Sequence, residues 1–112
     1  MSEMHERRLL QFAAQAAGLR ISNHRAGGGA YVTSATRRAP FRWNPLHDSK
    51  DALDLAALLR IPLWFDDLGG VIAGQRMCGD LGWRVEFGID DGTREKATRL
   101  AIVRAAALEI AA

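Results

Sequence analysis

Three histidines, one cysteine and several clustered aspartates are the side chains through which this chain could do chemistry. His5 lies in a helical pattern at the start, His24 stands beside a glycine run, and His47 directly precedes a central helix. A metal site needs ligands that converge, and no two histidines have the His-x-x-x-His spacing that puts both rings on one helix face. His47 beside Asp48 could form an imidazole–carboxylate couple, but adjacent residues usually point apart, and a capping and turn role explains both. Cys78 falls in a loop with no base close to it in sequence, so no activated thiolate is expected. Asp48, Asp51 and Asp54 recur every three positions, and Asp66-Asp67 and Asp90-Asp91 are adjacent pairs. Paired carboxylates can hold magnesium for phosphoryl chemistry. Helix caps, first-turn charge and turn propensity explain the same residues without an ion. No catalytic residue, metal or cofactor is expected on these grounds, and a metal-dependent hydrolase ranks last among the functions considered.

The basic residues suggest recognition instead. Net charge is only +2, yet residues 1–47 carry seven arginines against two glutamates, while residues 48–112 carry eight basic against eleven acidic residues. Arg20, Arg25, Arg37, Arg38 and Arg42 crowd one stretch, interleaved with Tyr31, Phe41 and Trp43. Guanidinium forks grip phosphates or carboxylates, and aromatic rings can stack bases. Against nucleic acid stand the small net charge, the presence of only two lysines and the lack of any named nucleic-acid module. A solvated basic edge facing the acidic half of the same fold explains the asymmetry equally simply. The run Gly27-Gly28-Gly29 lacks the Gly-Lys-Ser/Thr ending of a phosphate loop, and no helix follows it, so a hairpin loop is expected there.

These residues must be positioned by regular elements. Leu9, Phe12, Ala13, Ala16 and Ala17 recur at helical spacing within Ser2–Leu19, and Gly18 suits a left-handed stop. Leu19–His24 and Ala30–Ser34 read as strands on either side of the glycine loop, with Ala35–Pro40 a polar connection. Phe41-Arg42-Trp43 is a strand end, Asn44-Pro45 a turn, and Asp48 or Ser49 the cap of a helix over Asp48–Arg60, with Asp51 in its first turn. Leu53, Leu55, Ala56, Leu58 and Leu59 nearly encircle that helix, which predicts deep burial. Leu63–Phe65, Val71–Gln75 and Trp83–Phe87 read as strands, the last alternating strictly with Trp83, Val85 and Phe87 inward. Trp64 is a candidate interface anchor, but burial in the core is the expectation for it. Arg94–Ala111 is a closing helix whose apolar face holds Ala97, Leu100, Ala101, Val103, Ala107 and Leu108. Arg104 projects into that face, where a charge needs a partner. It is expected either to pair with a carboxylate or the Asn44 carbonyl, which would lock this helix to the Trp43–Asp51 turn, or to snorkel to an edge.

The pattern predicts a single α+β domain over residues 1–112, with a mostly antiparallel sheet of about five short strands covered by three helices. The helices are apolar enough to imply cover on both faces, an α/β/α sandwich. Length suffices for a real core. One cysteine excludes an intrachain disulfide framework and suits a reducing cytoplasm. Neither a signal peptide nor a membrane span is expected.

The run Trp43-Asn44-Pro45-Leu46, followed by Asp48, Asp51-Ala52-Leu53 and Leu55, resembles the mid-chain signature of the phage ABA-sandwich domain proteins. Ala97-Thr98-Arg99-Leu100-Ala101-Ile102-Val103-Arg104-Ala105-Ala106 resembles the same family, and Leu10–Leu19 is similar too. The resemblance implies a small bacteriophage or prophage protein with a sheet between helical layers, acting in the cytoplasm of a bacterial host. It implies no activity and carries over no catalytic residue.

The leading expectation is a non-enzymatic phage accessory protein working through protein contacts, with itself as a homo-oligomer or with a phage or host partner, including a host defence protein. Its candidate contact residues are Arg25, Tyr31, Arg37, Arg38, Arg42 and Trp43, since Tyr, Trp and Arg dominate interface hot spots. Its structural motif is Trp43, Asn44, Pro45, Asp48, Asp51 and Arg104. The alternative is nucleic-acid binding through residues 20–43.

Overall fold

A computed structural model describes residues 3–26, 28–36, 39–65, 70–75, 81–86 and 94–111. The order of elements is α1 (Glu3–Ala16), β1 (Arg20–His24), β2 (Ala30–Thr33), β3 (Phe41–Trp43), α2 (Ser49–Leu59), β4 (Leu63–Phe65), β5 (Gly70–Gln75), β6 (Leu81–Glu86) and α3 (Arg94–Ala111). This is an α+β fold with antiparallel pairing, as the patterning predicts. The described strands divide between two three-stranded sheets, β1-β2-β3 and β4-β5-β6, in place of one sheet of about five strands. The Asp66–Gly69 turn, Cys78 and its loop, the Asp90-Asp91 pair, Gly27, and Arg37 and Arg38 lie outside the described residues. So does Phe87 of the expected inward set; Trp83 and Val85 are in β6 as expected.

The start and stop chemistry acts as the sequence suggests. Gly18 has φ +74, and the Leu19 N–H donates to the Ala14 carbonyl at 2.8 Å, closing the last turn of α1. Asp48 caps α2 from an extended backbone, its carboxylate accepting the Lys50 and Asp51 N–H groups at 2.9 and 3.2 Å. At the other end Arg60 takes the left-handed conformation at φ 56, with its N–H and that of Ile61 closing onto Ala57 and Ala56 carbonyls. Pro62 follows, where the helix has already ended.

The core differs from the expected one in where it is centred. Helix α3 lies against α1, α2, β5 and β6. Ala97, Ala101, Ile102, Val103, Ala105, Ala106 and Ala107 are all buried, so α3 is enclosed on most of its circumference. Small side chains allow this, since four neighbours can approach one helix only where its own side chains are short. Helix α2 is correspondingly peripheral. It buries Ala52, Leu55 and Ala56, while Leu53 and Leu58 are each 62% exposed, which corrects the expectation of an encircled, deeply buried helix. On α1 the buried stripe is Leu10, Ala13 and Ala14, turned by one residue from the expected face. Trp64 is 36% exposed, also against expectation, because β4 is an outer strand of its sheet. No described helix is long and apolar enough to cross a membrane.

Candidate functional site

Asn44 is the hub on which the first half of the chain closes. Its N–H donates to the Asp51 carboxylate at 2.9 Å, and its carbonyl accepts from the His47 and Asp48 N–H groups at 3.1 and 2.8 Å. Pro45 and Leu46 are buried beneath it. The side chain of Asn44 lies against the glycine loop: a Cβ on Gly29 would stand 2.7 Å from its Cβ and Cγ. Gly28 faces the His47 ring, which reaches Glu6 of α1 at 3.7 Å. The loop itself is closed by Arg25 N–H to the Gly29 carbonyl at 3.0 Å and Gly28 N–H to the Arg25 carbonyl at 3.1 Å. Gly29 allows the loop to approach the Asn44 side chain closely, and the Gly28 N–H is used within the loop.

Trp43, Asn44, Pro45, Asp48 and Asp51 therefore do come together as one structural motif, and Arg104 does not join them. The Asn44 carbonyl is taken by two backbone N–H groups, and Asp51 Oδ2 accepts a third from Asn44 itself. Arg104 instead lines a groove of about 320 Å³ with His5, Arg8, Leu9 and Phe12 of α1. The residue that ties α3 to the central turn is Arg99, whose Nε donates to the Leu46 carbonyl at 3.2 Å and Nη1 to Ser49 Oγ at 2.8 Å. Five residues along a helix is about 500°, which leaves Arg99 and Arg104 some 140° apart, facing α2 and α1 respectively. Sequence reasoning missed Arg99 because Thr98-Arg99 reads as an ordinary polar break in the apolar pattern.

A cleft of about 630 Å³ adjoins this motif, lined among others by Tyr31, Phe41, Arg42, Lys50, Asp51 and Asp54. Its acids are already committed: Asp51 to Asn44, and Asp54 to Lys50 Nζ at 3.0 Å. The Asp54 hydrogen bond and charge raise the Lys50 pKa. A carboxylate pair poised to share a proton or an ion is not formed there, and among the described residues no three His, Cys, Asp or Glu side chains gather as a metal site.

Of the predicted contact residues, the sheet brings Arg25, Tyr31 and Arg42 together. Arg42 pairs with Tyr31 across β3 and β2, and the Arg25 guanidinium lies 5.7 Å from the Tyr31 ring centroid. Trp43 points the other way. It is 5% exposed, part of the core, and is corrected from contact residue to packing residue. Leu53, Leu58, Trp64 and Phe65 are the large exposed hydrophobic side chains among the described residues, and of these Leu53, Leu58 and Phe65 were not foreseen as surface. Leu53 and Phe65 flank a groove of about 260 Å³ whose floor includes Ala52, Leu63 and Ile102.

His24 sits at the end of β1 with Nδ1 buried and without a hydrogen-bond partner among the described residues. Burial, and then the positive charge of Arg7, hold its imidazole below the ordinary value of 6.5. The unfolded chain thus takes up a proton at a higher pH than the folded one. This contribution to stability is complete above pH 6.5 and is lost as pH falls below it toward the folded value. The melting temperature of the wild type is expected to drop on acidification through that window by more than that of His24→Gln. Parallel curves for the two proteins would show that His24 is not the titrating group.

No family model, curated protein or solved structure matches this chain.

Proposed function

We propose that this chain is a non-enzymatic protein-contact module, a small accessory protein of phage type, and that it docks through the groove between Leu53 and Phe65 and the adjoining edge of β4. The observation that supports this reading is the exposure of Leu53 at 62% and Phe65 at 54% on either side of one apolar groove. Exposed hydrophobic residues of this kind mark interaction surfaces, and Phe65 beside the groove is an aromatic anchor. In this reading the α/β/α layering covers the remaining sheet surface, and the setting is a reducing bacterial cytoplasm, consistent with the single cysteine.

The occupant is a second copy of the chain. Strand β4 is hydrogen-bonded to β5 on one side and is the outer strand of its sheet. Antiparallel pairing of β4 with β4 of another copy across a two-fold axis is self-complementary. It would seat Phe65 of each copy beside the groove of the other.

Light scattering and sedimentation at rising concentration test this. A dimer is expected, and Trp64→Glu or Phe65→Glu should weaken it by about 100-fold or more, since each change is present twice and a tenfold loss per side multiplies. A monomer at every concentration, unaltered by either substitution, would overturn the assignment.

A further inference from the structure

We propose that the outer face of the β1-β2-β3 sheet binds single-stranded nucleic acid. The register places Arg20 opposite Thr33, Asn23 opposite Tyr31, and Tyr31 opposite Arg42. Directly opposed residues share a sheet face, so Arg20, Asn23, Tyr31, Thr33 and Arg42 stand on one side. Ala30, Val32 and Trp43 are buried on the other. The bulge at Ser22 is what keeps Arg20 and Asn23, three residues apart, on the same face. Ser22 Oγ fixes it by donating to the Tyr31 carbonyl at 3.1 Å.

The result is a half-buried tyrosine at the centre of a sheet, with an exposed arginine on each outer strand, about 12 Å apart on the diagonal. Arg25 adds a third guanidinium from the glycine loop, already lying over the Tyr31 ring. Not one acidic residue occurs between Glu6 and Asp48, so the strands and their connections carry positive charge only. The two acids of α2 that line the cleft beside Tyr31 and Arg42 are engaged, Asp54 by Lys50 and Asp51 by the Asn44 N–H. A flat face joining a ring to forked cations fits a base stacked beside its phosphates. An acidic protein would supply the charge but would leave the ring face without a flat partner. This face adjoins α2 at the cleft lined by Tyr31, Arg42 and Leu58. The cleft shares no lining residue with the groove between Leu53 and Phe65, so the test of this face is distinct from that of self-association.

Fluorescence anisotropy of the full chain with labelled oligo(dT), at increasing salt, reads the proposal. Binding should weaken with salt with a logarithmic slope of about −2, the value for three arginines on a single strand. Arg20→Gln and Arg42→Gln should each reduce the slope by about 0.7. Tyr31→Ala should weaken binding about tenfold at unchanged slope, while Tyr31→Phe, which keeps the ring, stays near wild type. Trp64→Glu and Phe65→Glu should leave the affinity alone. Absence of binding at low salt, equal affinity for polyglutamate, tighter binding to duplex than to single strand, or indifference to Tyr31→Ala would each overturn it.

Discussion

Replacing Gly29 by alanine is expected to destabilise the fold by about 3 kcal/mol, read as a loss of roughly 12 °C in melting temperature. Two separate penalties add. The backbone at Gly29 has φ +78, where an L side chain costs about 1–2 kcal/mol. The new Cβ would also stand 2.7 Å from Asn44 Cβ and Cγ and 2.9 Å from Nδ2, inside contact distance. Asn44 has little room to yield, because its N–H and carbonyl are held by Asp51, His47 and Asp48. Gly18→Ala separates the two penalties. Gly18 has a similar φ of +74 but nothing within 4 Å of an added Cβ, so its loss should be about 1 kcal/mol. The steric part can be checked further in an Asn44→Gly background, which removes the Cβ and Cγ that collide. There Gly29→Ala should cost little more than Gly18→Ala does in the wild type, whereas Asn44→Ala, which retains the Cβ, should give less relief. Equal melting curves for Gly18→Ala and Gly29→Ala would show that the loop and the turn do not press on each other as described.

That junction shows where the sequence is legible and where it is not. Local chemistry is written locally: Gly18 as a stop, Asp48 as a cap, Pro45 as a turn and the Arg20–Thr33 hairpin all follow from residue type and near neighbours. The glycine run was readable as a hairpin loop, but its contact with Asn44 joins residues fifteen positions apart, and no pattern in either segment announces it. Periodicity likewise shows that a helix has an apolar side without showing what covers it. Helix α2 carries more leucine than α3, so composition favours α2 as the buried helix. Packing favours α3, because alanines let α1, α2, β5 and β6 all approach it, and the leucines at 53 and 58 are left outside. The candidate surfaces follow the same rule. Tyr31 and Arg42 were found because they are adjacent on paired strands, while Trp43 was misplaced because a strand's inward and outward sides become known only once its neighbour is in register.

Arg99 is where a local reading pointed to the right contact through the wrong residue, and its substitution carries the second large expected effect. A charge on a helix whose other faces are enclosed should be answered by acceptors. The acceptors on offer are those the central turn leaves open: the Leu46 carbonyl, at the start of the chain's descent into α2, and the Ser49 hydroxyl at the first helical position. The guanidinium fork reaches both, using Nε for one and Nη1 for the other, and so fixes α3 against the end of the turn that Asp51 fixes from within. Arg99→Met keeps most of the stem and removes both hydrogen bonds, leaving a part-buried carbonyl without a donor. The expected loss is about 2 kcal/mol, below the sum for two full charge-assisted bonds because the Ser49 end is exposed to water. Arg99→Lys should recover only part of it, since an ammonium cannot place two donors in the fork geometry. Ser49→Ala should remove less than Arg99→Met, and combining the two should be less than additive because they share one bond. Chemical denaturation of the four proteins reads these differences directly. If Arg99→Met matched wild type while Arg104→Met lost about 2 kcal/mol, the tie between α3 and the central turn would run through the α1 groove after all.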